Sequence, residues 1–178
     1  MSNLAEQSYL TALKLDPYFS PARANLASLY ATVGRIADAE RVLRDGIKLL
    51  PSQGELHYSL GLLLAEAGRL SEAADALGEA ARLMPDRARV RYNQGLALQK
   101  LGRMAAAERA LLKAEQLNPR DPQIAYAMAF FYAEQHQDQR ALTYAQRALE
   151  QSAPDDPGPR QLVEQLKQRM ASTPRTSR

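Results

Sequence analysis

Between residues 55 and 77 the chain reads ELHYSLGLLLAEAGRLSEAADAL. The spacing predicts a helix that is apolar nearly all round from Leu60 to Leu64, then a break at Gly68-Arg69, then a second helix. Apolar residues on several faces predict a helix sandwiched between neighbours, because a helix with one covered face keeps a polar side. The same two-helix pattern returns along the chain. Pro17, Pro51, Pro85 and Pro119 stand 34 residues apart, and Gly34, Gly68 and Gly102 share that offset. So do Ala5, Ala39, Ala73, Ala107 and Ala141, and Ala12, Gly46, Ala80, Ala114 and Ala148. A fixed period of this length predicts stacked units of helix, glycine turn, helix, proline turn. The glycine suits a left-handed helix end, and the proline stops the next helix. His136 occupies the place of the turn glycines, and histidine is among the side chains enriched at positive φ.

These residues resemble the tetratricopeptide repeat (TPR) family, whose pattern is W-x2-L-G-x2-Y, then A-x3-F, then P. Residues 54–87 carry it as Leu60-Gly61, Leu64, Ala73, Leu77 and Pro85. Residues 88–121 carry it as Gly95, Leu98, Ala107, Leu111 and Pro119. Residues 20–53 carry it as Leu26-Ala27, Tyr30, Ala39, Leu43 and Pro51. Residues 122–155 carry it as Met128-Ala129, Tyr132 and Ala141, with Pro154 slipped by one. Arg23, His57, Arg91 and Ala125 replace the family tryptophan, and His57 is expected to be a packing residue there. The resemblance implies an all-α, right-handed α-solenoid of helix-turn-helix repeats.

The two ends of the array depart from the full repeat. Residues 1–19 fit the second helix of a repeat whose first helix is absent. This reads as a chain cut from a longer protein, with a natural cap as the alternative. Residues 156–171 predict a capping helix that buries Leu162, Val163 and Leu166 and turns Gln161, Glu164, Lys167 and Gln168 outward. A disordered tail is expected over 172–178.

Composition excludes several functions. There is no cysteine, hence no disulfide, thiolate metal site or cysteine nucleophile. No apolar run approaches the length of a membrane span, and the start lacks a signal-peptide layout. A cytoplasmic location is the default expectation, and a periplasmic one follows if the chain is cut from a longer secreted protein. His57 and His136 lie in different repeats and supply no metal-ligand spacing, so neither a metal nor a cofactor is expected. Ser59 and Ser71 have no histidine relay. Ser71 reads as a helix N-cap, and Asp38 suits the start of its helix. GLLLAEAGR lacks the spacing of a phosphate loop. Catalysis has no support. Arg87, Arg89 and Arg91 with Tyr92 form a basic cluster too short for nucleic acid, and the net charge is only +3. Lys+Arg minus Asp+Glu runs 6−5, 3−6, 7−3, 2−4 and 5−2 over 1–53, 54–87, 88–121, 122–155 and 156–178. This alternation predicts weak attraction between neighbouring units.

The resemblance also implies a function. TPR arrays bind peptides or partner proteins on a concave face made of first helices, chiefly through the second, fifth, ninth, twelfth and thirteenth places. The fifth place holds Ala24, Tyr58, Tyr92 and Tyr126, and the ninth holds Ser28, Leu62, Leu96 and Phe130. Charged flanks come from Glu66, Lys100 and Glu134, and Arg89 takes a second place. Tyr58, Leu62, Glu66, Arg89, Tyr92, Leu96, Lys100, Tyr126, Phe130 and Glu134 are therefore the candidate partner-binding residues. Fifth and ninth places are one helical turn apart, which predicts an apolar-aromatic strip. The carboxylate clamp of chaperone-binding TPR domains is not matched, since the fifth and ninth places hold no Lys or Asn. The sequence thus reads as a non-catalytic protein-interaction module with a protein or peptide partner. The alternatives are a scaffold packed inside a larger, bacterial multidomain protein, or self-assembly through the unpaired first helix.

Overall fold

The computed structural model describes residues 2–153 and 155–172, so the expected tail lies almost wholly outside the described residues. Within them the chain forms ten helices and no strand. They are α1 (Ser2–Leu15), α2 (Ser20–Thr32), α3 (Ile36–Leu49), α4 (Gly54–Glu66), α5 (Leu70–Leu83), α6 (Ala88–Lys100), α7 (Met104–Leu117), α8 (Pro122–Glu134), α9 (Asp138–Gln151) and α10 (Pro157–Ser172). Each helix packs on the next, which gives an all-α solenoid of helix pairs.

The turn chemistry follows the sequence. Gly34, Gly68 and Gly102 adopt φ between 73° and 78°, and His136 takes the same conformation at 56°. Their carbonyl and amide neighbours close the helix end: Arg69 N–H, for instance, donates to Leu64 O at 2.9 Å. Inside a pair, helices come close where the first carries a glycine. A Cβ built on Gly95 would stand 2.7 Å from Leu111 Cγ, and one on Gly61 would stand 2.6 Å from Leu77 Cγ. Ala39, Ala73, Ala107 and Ala141 are fully buried at the matching small-residue place.

Two expectations need correction. Ser71 is not an N-cap: α5 begins one residue earlier, and Arg69 holds the cap position without a side-chain cap bond. The Arg69 carbonyl already receives Ala73 N–H, which fixes the helix start there. His57 does more than pack. Its Nε2 lies 2.9 Å from the Pro51 carbonyl, just as Arg23 Nη2 donates to Pro17 O at 2.9 Å. At the tryptophan place these polar side chains satisfy a carbonyl left open at the end of the preceding helix.

Arginines staple successive units along the second-helix side. Arg35 bonds Glu6 at 3.1 Å and Asp38 at 2.8 Å, and one repeat later Arg69 bonds Glu40 and Glu72, each at 2.6 Å. At the next place in this series, Arg103, the positions that match Glu40 and Glu72 hold Ala74 and Ala106, so no carboxylate stands there. Gln137 holds the following place, and there Arg140, three residues on, bonds Glu108 and the Tyr132 hydroxyl, while Arg169 pairs with Asp138. Arg69 and Arg140 both belong to units of net negative charge. The pairing is therefore set by local geometry, and the alternation of net charge does not account for it.

The guanidinium of Arg69 holds Glu72 and Glu40 below the ordinary glutamate value of 4.5, and the Tyr30 hydroxyl with Arg35 does the same for Glu6. A carboxylate with a depressed folded pKa stabilises fully above its unfolded value and ceases to do so as pH falls through the folded one. The melting temperature will therefore stay level from neutrality to about pH 5 and decline below it. Glu40→Gln will lessen that decline, measured by circular dichroism across pH at low salt. Solvent reaches all three groups, so the effect is small and added salt will shrink it.

Candidate functional site

First helices α2, α4, α6 and α8 also pack on one another, while the second helices reach their counterparts through long side chains such as Arg44 and Glu72. The more closely spaced layer is the inner one, so these four helices form the concave side. In α4 the core takes Leu56, Leu60, Leu63 and Leu64, and Tyr58 and Leu62 remain half-buried on the inner side. The helix is apolar all round because one arc faces α5, one faces its neighbours α2 and α6, and one faces the groove.

The candidate residues do not form a single uniform strip. Tyr92, Leu96, Lys100, Tyr126, Phe130 and Glu134 come together in one cleft of about 640 Å³ between α6 and α8, closed by Gln99, Gln123, Ala127 and Asp156. Tyr126 and Phe130 meet edge to face at 4.9 Å between ring centres. Phe130 keeps 43% of its surface exposed, although Phe131 beside it keeps 1%. Phe130 and Glu134 also line a second hollow of about 310 Å³ with Leu162, Leu166 and Arg169, so the cleft continues onto α10. Leu62 and Glu66 lie elsewhere, in a hollow of about 180 Å³ shared with Ala24, Ser28 and Ala31 of α2. Tyr58 lines neither. Its hydroxyl accepts a 2.7 Å bond from Asn93 Nδ2, and its ring packs near Ala80, Ala81 and Val90. The Tyr58–Asn93 bond joins α4 to α6, between the two hollows.

Charge around the larger cleft is partly committed. Arg89 donates to Gln123 at 2.6 Å and lies 5.6 Å over the Tyr92 ring. Glu134 accepts from Gln99 at 2.6 Å. Arg87 pairs with Glu55, and Arg91 bonds the Ala81 carbonyl, so the basic cluster is spent on its own chain. Lys100 is exposed and no carboxylate among the described residues pairs with it. Burial raises the phenols of Tyr58, Tyr92 and Tyr126 above their ordinary value of 10, so each hydroxyl stays protonated at neutral pH and able to donate. The wall contributed by α10 and the turn before it, with Asp156, Leu162 and Leu166, is a part of the site that the repeat spacing does not reveal. Its signal is weak: the capping helix follows the period but carries Val163 at the glycine place.

The tetratricopeptide repeat pattern matches residues 24–89 and again 88–121, together more than half of the chain. The chain belongs to the tetratricopeptide repeat family. No curated protein matches this TPR chain. Solved structures resemble it along most of its length. PilF of Pseudomonas aeruginosa aligns with a TM-score of 0.83 and 24% identity, covering 96% of this chain and 77% of PilF. YrrB, a TPR protein with an unusual peptide-binding site, aligns with a TM-score of 0.78 and 19% identity over 93% of this chain and 85% of its own. MamA aligns with a TM-score of 0.73 and 25% identity over 82% and 85%.

Proposed function

We propose that this TPR protein is a non-catalytic interaction module that holds a peptide or partner segment in the cleft across α6, α8 and α10. The observation that carries this reading is Phe130. It is a large apolar side chain left 43% exposed inside a concavity whose other walls are Tyr92, Leu96 and Tyr126. Water covers such a surface at a cost of roughly 25 cal/mol per Å² of apolar area, so a complementary side chain is favoured there. Tyrosines add broad apolar faces and protonated hydroxyls with little rotamer entropy to lose. Lys100 and Glu134 at the rim would fix the register of a bound segment more than its affinity. The resemblance to YrrB lends the reading a precedent in the same fold.

The test uses peptides selected by display against the wild-type protein. Leu96→Asn with Phe130→Asn will weaken their binding by about tenfold or more, the loss expected for a central anchor. Circular dichroism will remain unchanged, because Phe130 is exposed and Leu96 is only partly buried at the edge of the core. Affinity within twofold of wild type, with helicity intact, would falsify the assignment of this cleft. Leu62→Asn tests the smaller hollow separately, and loss there alone would move the site to α2 and α4.

A further inference from the structure

A hollow of about 470 Å³ opens on the other side of the array, between the second helices α3 and α5. Its floor is the outward arc of α4, where Leu60 and Leu64 lie. Ile47 of α3 and Ala76 of α5 add apolar walls, and Arg44, Lys48, Glu72, Asp75 and Glu79 stand around them. Both walls belong to complete repeats in the middle of the array.

Two other junctions between second helices show what such a space holds when the chain fills it. Leu64 has the repeat place of Tyr30 and Tyr132. Those two side chains are at most 5% exposed, and each hydroxyl donates at 2.8 Å to a glutamate of the preceding second helix, Glu6 or Glu108. Ala76 has the place of Tyr144, whose ring stacks on Tyr132 with 5.6 Å between centres. Between α7 and α9, therefore, two tyrosine rings occupy the positions that Leu64 and Ala76 hold between α3 and α5. Glu40 keeps the place of Glu6 and Glu108. The junction of α5 with α7 has leucine too, Leu98, but alanine, Ala74, at the glutamate place. The α3–α5 junction alone among the four keeps the glutamate without the tyrosine.

The charges around the hollow single out one group. Arg44 is held by Glu40 and Glu72, Lys48 by Asp45, and Glu79 by Arg82. Asp75 is exposed at the rim, and no cation among the described residues pairs with it. At its place the other second helices carry Arg41, Arg109 and Thr143. We propose that this hollow is a second docking site, independent of the concave cleft, for a partner peptide that inserts a tyrosine next to an arginine or lysine. The ring takes the kind of position that Tyr132 and Tyr144 take within the chain, and burial of its apolar faces drives it in. The carboxylates of α5 accept its hydroxyl. Asp75 meets the basic neighbour, which sets the register and selects against acidic sequences.

The probe is a short blocked peptide, Ala-Arg-Tyr-Arg-Ala, titrated into isotope-labelled protein. Backbone amide shifts will move around Ile47, His57 and Ala76 and saturate in the millimolar range. Ala76→Tyr, which supplies the counterpart of Tyr144, will abolish these shifts without lowering the melting temperature. Asp75→Lys, at an exposed position, will weaken binding about threefold or more, and so will glutamates in place of the peptide's arginines. Absence of saturable shifts at millimolar peptide overturns the proposal. So do shifts confined to α6, α8 and α10, which would put the tyrosine in the concave cleft. An equal response to Ala-Arg-Ala-Arg-Ala, or undiminished binding by either variant, overturns it as well.

Discussion

Phe131→Ala will lower the free energy of unfolding by about 3–5 kcal/mol, and Phe130→Ala, one residue earlier, will lower it by about 1 kcal/mol or less. The two phenylalanines are adjacent on α8 and point in different directions. Phe131 is 1% exposed and stacks edge to face against the buried Tyr132 ring, at 5.3 Å between centres. Truncating it leaves a cavity among Met128, Tyr132 and Leu162, and the surrounding helices collapse only partly into it. Truncating Phe130 removes its edge-to-face contact with Tyr126, but a large part of its surface already lies in solvent. Urea unfolding of the two variants checks the contrast. Equal losses would mean that Phe130 is a core residue and would remove the main support for the groove.

Ala107→Leu will cost about 1–3 kcal/mol. Ala107 has no exposed surface and sits one helical turn before Leu111, where α6 and α7 are held together over Gly95. Three additional carbons have no free volume to enter, so the helices must separate or the leucine must leave its preferred rotamer. The unfolding midpoint in urea reports the loss. The contact is made within one unit, so amide exchange will rise most in α6 and α7 and least in α2 and α3. An unchanged midpoint would contradict the placement of Ala107 between the two helices.

Much of this architecture was legible because its causes repeat. The glycine of the left-handed turn recurs in three units and the buried alanine in all four, so a coincidence at one place is tested again at the others. His136 shows how far this extends: the register alone located a positive φ at a residue that is not glycine. Features that depend on one pair of side chains were less legible. The Tyr58–Asn93 bond spans 35 residues and occurs at one junction, so nothing periodic announces it. The same holds for the use of His57 and Arg23 as donors to the preceding turn. The groove wall from α10 escaped because that helix departs from the repeat at Val163 and because Asp156 lies in the turn before it.

The missing staple at Arg103 has a mechanical meaning. The buried side chains divide at the same level of the array: Ala73 belongs with the residues of α2 to α4, and its neighbour Ala74 belongs with those of α6 to α10. The hollow of α2 and α4 lies on one side of that division and the aromatic cleft of α6 and α8 on the other. Any change in angle between the two halves alters the distance between these hollows while leaving the walls of each intact. A short ligand seated in the aromatic cleft is indifferent to that angle. On the proposed reading, a ligand long enough to enter both would act as a strut between the two halves.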